Sequence, residues 1–253
     1  MPTIRIHCDG GLGNRFGPVV DGLLFAERSG YTPLIHWPTN MNCAAGLGDL
    51  FEYVPAEYSE NLPPVDWPLV GHITWKGRTC FDTSEIDKMT GDFEYTDNGW
   101  KLSDEEGKRI LSKFKILPSI MKRVNDFCTE NGIDKHCTGI HIRATDNLSI
   151  NQINNAHKLI KSSGKVFLCC DEKEIEDGFA HYSNVVLRPK DFYVEKIVPG
   201  GWRIKPPPDE PYKCYNVNRT KESVIDAFID LLVLSRTSFN CSSSSFCRLG
   251  KML

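Results

Sequence analysis

His141, Arg143 and Asp146 stand close together in the run Thr138-Gly-Ile-His-Ile-Arg-Ala-Thr-Asp146. Its apolar alternation predicts a buried strand whose carboxyl end presents the three polar side chains. In open α/β sheets, ligands bind just past the carboxyl ends of strands. A guanidinium fixed there suits a phosphate, because it offers a planar fork of donors and never loses its charge. The same triplet also reads as a structural ion pair, and these residues alone leave both readings open.

A second candidate lies near the start. Thr3 to Cys8 alternates as a strand, and Asp9-Gly10-Gly11-Leu12-Gly13-Asn14-Arg15 follows as a glycine-rich turn. Pro18 suits a first helical turn, Val19, Val20, Leu23 and Leu24 give an apolar face, and Gly30 ends the helix before a strand at Pro33–Trp37. Strand, glycine loop, helix and strand open a nucleotide-binding α/β unit. The glycines let backbone approach a ligand, and amides at the helix start attract an anion. The loop is neither a P-loop, which needs Gly-Lys-Ser/Thr, nor a regular dinucleotide fingerprint.

The elements that must position these residues follow in order. Residues 38–100, rich in Pro, Gly, Asn and aromatics, predict irregular structure with short strands. Ser103 to Glu106 matches a capping box opening a helix toward Leu117, and a second helix runs to Asn131-Gly132. From Thr138 a second α/β unit begins. It has a helix over Ile153–Ser162, a strand at Val166–Cys170 delivering Asp171 and Glu172, and a short helix around Ile175 and Phe179. A strand follows at Asn184–Arg188, then a long loop over 189–221, an apolar helix from Glu222 to Ser235 and a strand at Thr237–Cys241. The serine run Ser242–Ser245 and a short helix from Phe246 end the chain.

Composition bounds the function. The 253 residues are 40% hydrophobic and 25% charged, which suits a folded chain with a sizeable core. A net charge of -3 and a pI near 6.2 argue against a nucleic-acid binder. No apolar run approaches the roughly 18 residues of a membrane span, and no signal-peptide core precedes the first strand, so a cytoplasmic location is expected. The ten cysteines include no Cys-x-x-Cys pair. They read as buried free thiols rather than disulfides or zinc ligands, Cys8, Cys169 and Cys170 above all.

Gly10–Arg15, His141–Asp146, and the stretch from Asp230 to Ser235 and Phe239 to Phe246 stand in an order and spacing that resembles the fucosyltransferase superfamily. That superfamily includes the rhizobial nodulation, α1,6-, α1,2- and protein O-fucosyltransferases. The resemblance implies an α/β, GT-B-like fold of two Rossmann-like lobes facing a central cleft. Lobes of 1–137 and 138–253 follow, the first on the acceptor side and the second holding GDP-fucose. It also implies inverting transfer to a glycan acceptor without metal or other cofactor, and the chain has no Asp-x-Asp motif at a strand end to hold a divalent ion.

Carried over by position, Arg143 grips the β-phosphate and Asp146 orients Arg143 or the sugar, these two forming the catalytic pair. His141 lies against the nucleoside, Asp230 accepts hydrogen bonds from guanine, and Asp171 is acidic at the donor. Ser242, Ser243, Ser244 and Ser245 cradle phosphate, and Gly11, Gly13, Asn14 and Arg15 reach the pyrophosphate or fucose from the first lobe. Asp226, one turn before Asp230, reads as solvated and without a role. Two positions depart from the α1,6-type pattern: Ala144 replaces a second arginine, leaving phosphate grip weaker or to Arg15, and Asn151 replaces a glutamate base. Besides fucose transfer, the residues admit another GDP-sugar donor, an inactive nucleotide- or glycan-binding module or, more remotely, a Rossmann-type oxidoreductase.

Overall fold

A computed structural model describes residues 1–71, 86, 88–96, 103–144, 148–197, 217–239 and 244–253. In chain order the first part comprises β1 (Thr3–His7), α1 (Leu12–Ser29), β2 (Thr32–His36), β3 (Phe51–Tyr53), β4 (Glu57–Ser59), β5 (Leu69–Gly71), β6 (Phe93–Thr96), α2 (Asp104–Leu111), β7 (Lys115–Ile116) and α3 (Pro118–Asn131). Then come β8 (Thr138–Ile142), α4 (Ile150–Ser162), β9 (Val166–Cys170), α5 (Lys173–Asp177), β10 (Val185–Leu187), β11 (Glu195–Lys196), β12 (Val217–Asn218), α6 (Lys221–Leu234), β13 (Ser238–Phe239) and α7 (Ser245–Met252).

Two parallel sheets organise these elements. The first has the order β4-β2-β1-β6-β5, with strands drawn from residues 3–96. The second has the order β10-β9-β8-β13, drawn from residues 138–239. Strand periodicity sets the faces. Ile4 and Ile6 of β1 are fully buried, and α1 crosses them at Gly22, where any Cβ would meet the Ile6 side chain at 2.7 Å. In the second sheet Ile140, Ile142, Val166 and Leu168 share a core with Ala156 and Ile160 of α4, while Phe167 and Cys169 point to the other face. The terminal helix α7 packs against α1 and α2 as well as α6, so one hydrophobic core runs from Ile4 to Met252.

Several expectations change. Helix α1 starts at Leu12, with Pro18 inside it; proline there withholds only the amide that would bond the Asn14 carbonyl, within the first two turns. Helix α2 has the expected Ser103–Glu106 capping box but ends at Leu111, since Lys115–Ile116 pairs antiparallel with β3. The short strands expected over residues 38–100 include β6, which lies beside β1 near the middle of the first sheet. Cys8, Cys169 and Cys170 are buried and free, and burial pushes all three thiols up. Cys247 departs from the expectation and is disulfide-bonded. Among the described residues, no helix is long and apolar enough to cross a membrane.

Candidate functional site

Strands β8 and β9 are parallel neighbours, with His141 opposite Cys169 and Ile142 opposite Cys170. Their carboxyl ends therefore release Arg143 and Asp171 side by side. The Asp171 Oδ1 accepts the Ala144 N–H at 2.6 Å, tying the segment after β8 to the end of β9. The His141 ring packs against Phe246 with centroids 4.7 Å apart, and its Nδ1 lies 3.5 Å from Cys247 Sγ. Burial lowers the His141 pKa more than the Asp171 and Asp230 charges raise it, and Arg143 and Lys190 add to the lowering. The imidazole is thus neutral at pH 7.

The starts of α1 and α7 face these strand ends. Gly10, with φ +78, takes the left-handed conformation that the turn from β1 requires, and Asp9 Oδ1 accepts its N–H. Gly11 caps α1 without a side-chain hydrogen bond, and the first turn holds no acid. A Cβ on Gly13 would lie 2.4 Å from the Phe246 nitrogen and 2.6 Å from the Ser245 carbonyl carbon. This glycine therefore lets the two helix starts abut. Ser245 Oγ donates to Asn14 Oδ1 across the junction, and Ser244 accepts the Cys247 N–H as the α7 cap. Helix starts carry partial positive charge and unpaired N–H groups, so they attract an anion.

A third wall comes from α6, whose Ser223, Ala227 and Asp230 lie on one face at helical spacing, with Val224 beside them. Asn42 and Arg219 also line the cavity. Their segments are stitched together, since the Arg219 N–H donates to the Met41 carbonyl at 2.9 Å and the Ala44 N–H to the Arg219 carbonyl at 3.2 Å. The space between these walls, open solvent at its mouth included, measures about 990 Å³.

Beneath the cavity lies a buried ionic network. Asp230 Oδ1 accepts from Arg188 Nε at 2.6 Å and its Oδ2 from Lys190 Nζ at 2.7 Å. Lys190 also donates to Glu176 Oε1 and the Cys170 carbonyl, both at 2.8 Å. Glu176 Oε2 accepts the Tyr193 hydroxyl, and Asp226 Oδ1 takes Arg188 and Arg123. Burial raises the Glu176 pKa, an effect that Lys190 offsets in part. Burial opposes the Lys190 charge, but Asp230 leads the groups that more than restore it, so the ammonium stays protonated.

Gly11, Gly13, Asn14, His141, Arg143, Asp171, Asp230 and Ser245 all line the one cavity. Asp146, Ser242 and Ser243 lie outside the described residues. Arg15 departs from expectation. It is fully buried, donating to the carbonyls of Gly10 and Pro38 and to Asn40 Oδ1, with its guanidinium 5.3 Å from the Trp37 ring centre. Arg15 thus holds the glycine loop in place and does not line the cavity. Asp226 is another correction, being 3% exposed and ion-paired rather than solvated. The Asp230 oxygens already take two cations, so its role includes organising α6 and the Arg188–Lys190 segment. Sequence reasoning missed Asn42, Arg219, Ser223 and Phe246 at the site. Only Phe246, beginning the short helix after the serine run, carried a local signal.

No protein-family model matches the chain, and no significant match appears among curated proteins. Solved structures do match. Fucosyltransferase NodZ from Bradyrhizobium superposes with a TM-score of 0.65 at 17% identity, covering 99% of this chain and 92% of that one. NodZ α1,6-fucosyltransferase soaked with GDP-fucose gives 0.63 at 18% identity, covering 100% and 92%. POFUT1 in complex with GDP gives 0.52 at 13% identity, covering 99% and 94%. The chain therefore shares the GT-B-type α/β fold of these solved structures.

Proposed function

We propose that this protein is an inverting, metal-independent glycosyltransferase that moves fucose from GDP-fucose to a glycan hydroxyl. Arg143 facing the starts of α1 and α7 across one cavity is the observation that carries the reading. NodZ was soaked with GDP-fucose and POFUT1 holds GDP in the matching structures, which supports the choice of donor. We divide the chain near residue 137, between the two sheets, with the first lobe on the acceptor side.

The acceptor hydroxyl attacks the anomeric carbon from the face opposite GDP, the β-phosphate oxygen departs with the bonding electrons, and the acceptor proton is lost to solvent. Arg143 and the helix amides stabilise that growing charge more in the transition state than in the ground state. Losing such a group costs roughly 3–4 kcal/mol of barrier lowering. Asn151, exposed near the start of α4, has an amide that cannot take the acceptor proton, so we assign it no base role.

Turnover of GDP-fucose and GDP-mannose, with oligosaccharide acceptors and EDTA, tests the reading. GDP release from GDP-fucose alone, undiminished by EDTA, is expected. Equal use of GDP-mannose would overturn the donor assignment, and loss of activity in EDTA the metal independence. GDP binding without transfer or donor hydrolysis would favour an inactive binding module, the reading that Ala144 and Asn151 support.

A further inference from the structure

We infer that Ser245 is a positioning residue that turns the Asn14 side-chain amide toward the donor diphosphate and does not itself bind phosphate; this rests on the donor reading above. A serine hydroxyl has a single proton to donate. Ser245 gives it to Asn14 Oδ1 across the junction of the two helix starts. With that proton spent, the hydroxyl turns only lone pairs to its surroundings, and lone pairs repel a phosphate oxygen. The bond instead selects one of the two orientations open to an amide. The Asn14 carbonyl faces Ser245, and its NH2 group turns to the Gly10 side, with Nδ2 3.2 Å from where a Cβ on Gly10 would stand. Among the described residues, no hydrogen bond uses that NH2 group. Gly10, Asn14 and Ser245 all line the cavity, so an anion bound there meets the amide's donors.

Two glycines make room for the pair. At Gly13 a Cβ would lie 2.4 Å from the Phe246 nitrogen, so any side chain would push α7 away from α1 and pull Ser245 off Asn14. At Gly10 a Cβ would crowd the amide itself, 3.2 Å from Asn14 Nδ2 and 3.3 Å from Asn14 Cβ. Backbone holds both partners independently of their side chains. The Asn14 N–H bonds the Gly11 carbonyl at 3.0 Å, and Ser245 opens α7 directly after its Ser244 cap. An amide fixed in this way loses little freedom on meeting a ligand, and its hydrogen bond to a phosphate oxygen is charge-assisted.

Calorimetry on the full chain tests this with GDP and guanosine as probes. The variants are Ser245→Ala, Ser245→Thr, Asn14→Ala, Asn14→Asp and the double variant Asn14→Ala/Ser245→Ala, with thermal melting to check folding. Asn14→Ala should weaken GDP about tenfold to a hundredfold, as expected for a lost hydrogen bond to a charged group. Asn14→Asp should lose at least as much, because a carboxylate still accepts from Ser245 but cannot donate. Ser245→Ala should weaken GDP about threefold to tenfold, and Ser245→Thr, which keeps a hydroxyl, should recover part of that loss. Guanosine binding should stay within about twofold of wild type throughout. In the double variant the serine change should add nothing to Asn14→Ala, because its effect passes through the amide. If the two losses multiply instead, Ser245 touches phosphate itself and the inference falls. It also falls if guanosine weakens as much as GDP, or if GDP weakens in Asn14→Ala but not in Ser245→Ala; the donor reading then stands. If wild type binds no GDP, the donor reading fails and this inference with it.

Discussion

Replacing Lys190 with methionine probes the network that supports the cavity floor. The lysine side chain is 3% exposed and joins Glu176, Asp230 and the Cys170 carbonyl, all within 2.8 Å. Methionine keeps the apolar stem and removes the charge. Asp230 would still have Arg188 and Glu176 would still have Tyr193 and the Cys170 N–H, but the buried charge would no longer balance. Breaking a buried pair from one side costs about 3–5 kcal/mol. At roughly 2–4 °C per kcal/mol for a chain of this size, the melting temperature at pH 7 should fall by about 6–20 °C.

The loss should depend on pH with a defined sign. Burial already raises the Glu176 pKa, and removing the ammonium that offsets it raises it further. Between the unfolded and folded pKa values the folded variant binds more protons than the unfolded chain, so its stability falls as pH rises. The penalty is therefore full at pH 7 and shrinks toward pH 5. Adding Glu176→Gln to the variant should restore part of the loss at pH 7, because a neutral amide needs no counter-charge. Thermal unfolding at pH 7 and pH 5 is the assay. A variant that melts within 2 °C of wild type at pH 7 (about 1 kcal/mol or less) and shows an unchanged pH profile would refute this account of the network.

Gly13→Ala should cost about 1–3 kcal/mol despite alanine's better helix propensity, because its Cβ meets Phe246 and Ser245 backbone that cannot move aside cheaply. Gly164→Ala, with nothing within 4 Å of its Cβ, is the control; equal melting temperatures would refute the tight junction. Burial lowers the His141 pKa, so below about pH 6.5 the unfolded chain takes a proton that the folded one refuses, and stability falls as pH drops. His141→Gln should flatten that decline in urea midpoints measured between pH 7 and pH 5, and an unchanged slope would contradict the neutral imidazole.

Local chemistry was legible in the sequence wherever one short segment decides the outcome. Gly30 and Gly132 end helices in the left-handed conformation, Ser103 and Glu106 form the expected capping box, and β8 and β9 fall where alternation and apolar runs put them. Eight of the expected site residues line one cavity because they sit at strand ends and helix starts, which the topology gathers. What stayed hidden depends on partners far along the chain. Arg15 looked like a ligand residue because its neighbours are glycines, yet Pro38 and Asn40 take its donors. Asp226 looked solvated because nothing in its own helix reveals Arg188, 38 positions away. Arg219 reaches the site through the pairing of residues 219 with 41 and 44, which no periodicity announces.

The central claim is a phosphate site built on Arg143, and calorimetric titration of GDP, with UDP and NAD as controls, tests it most directly on wild type and Arg143→Ala. The account predicts selective GDP binding that weakens about tenfold or more without the guanidinium. If GDP does not bind, or binds equally well to Arg143→Ala, the cavity does not hold a GDP-sugar in the way proposed.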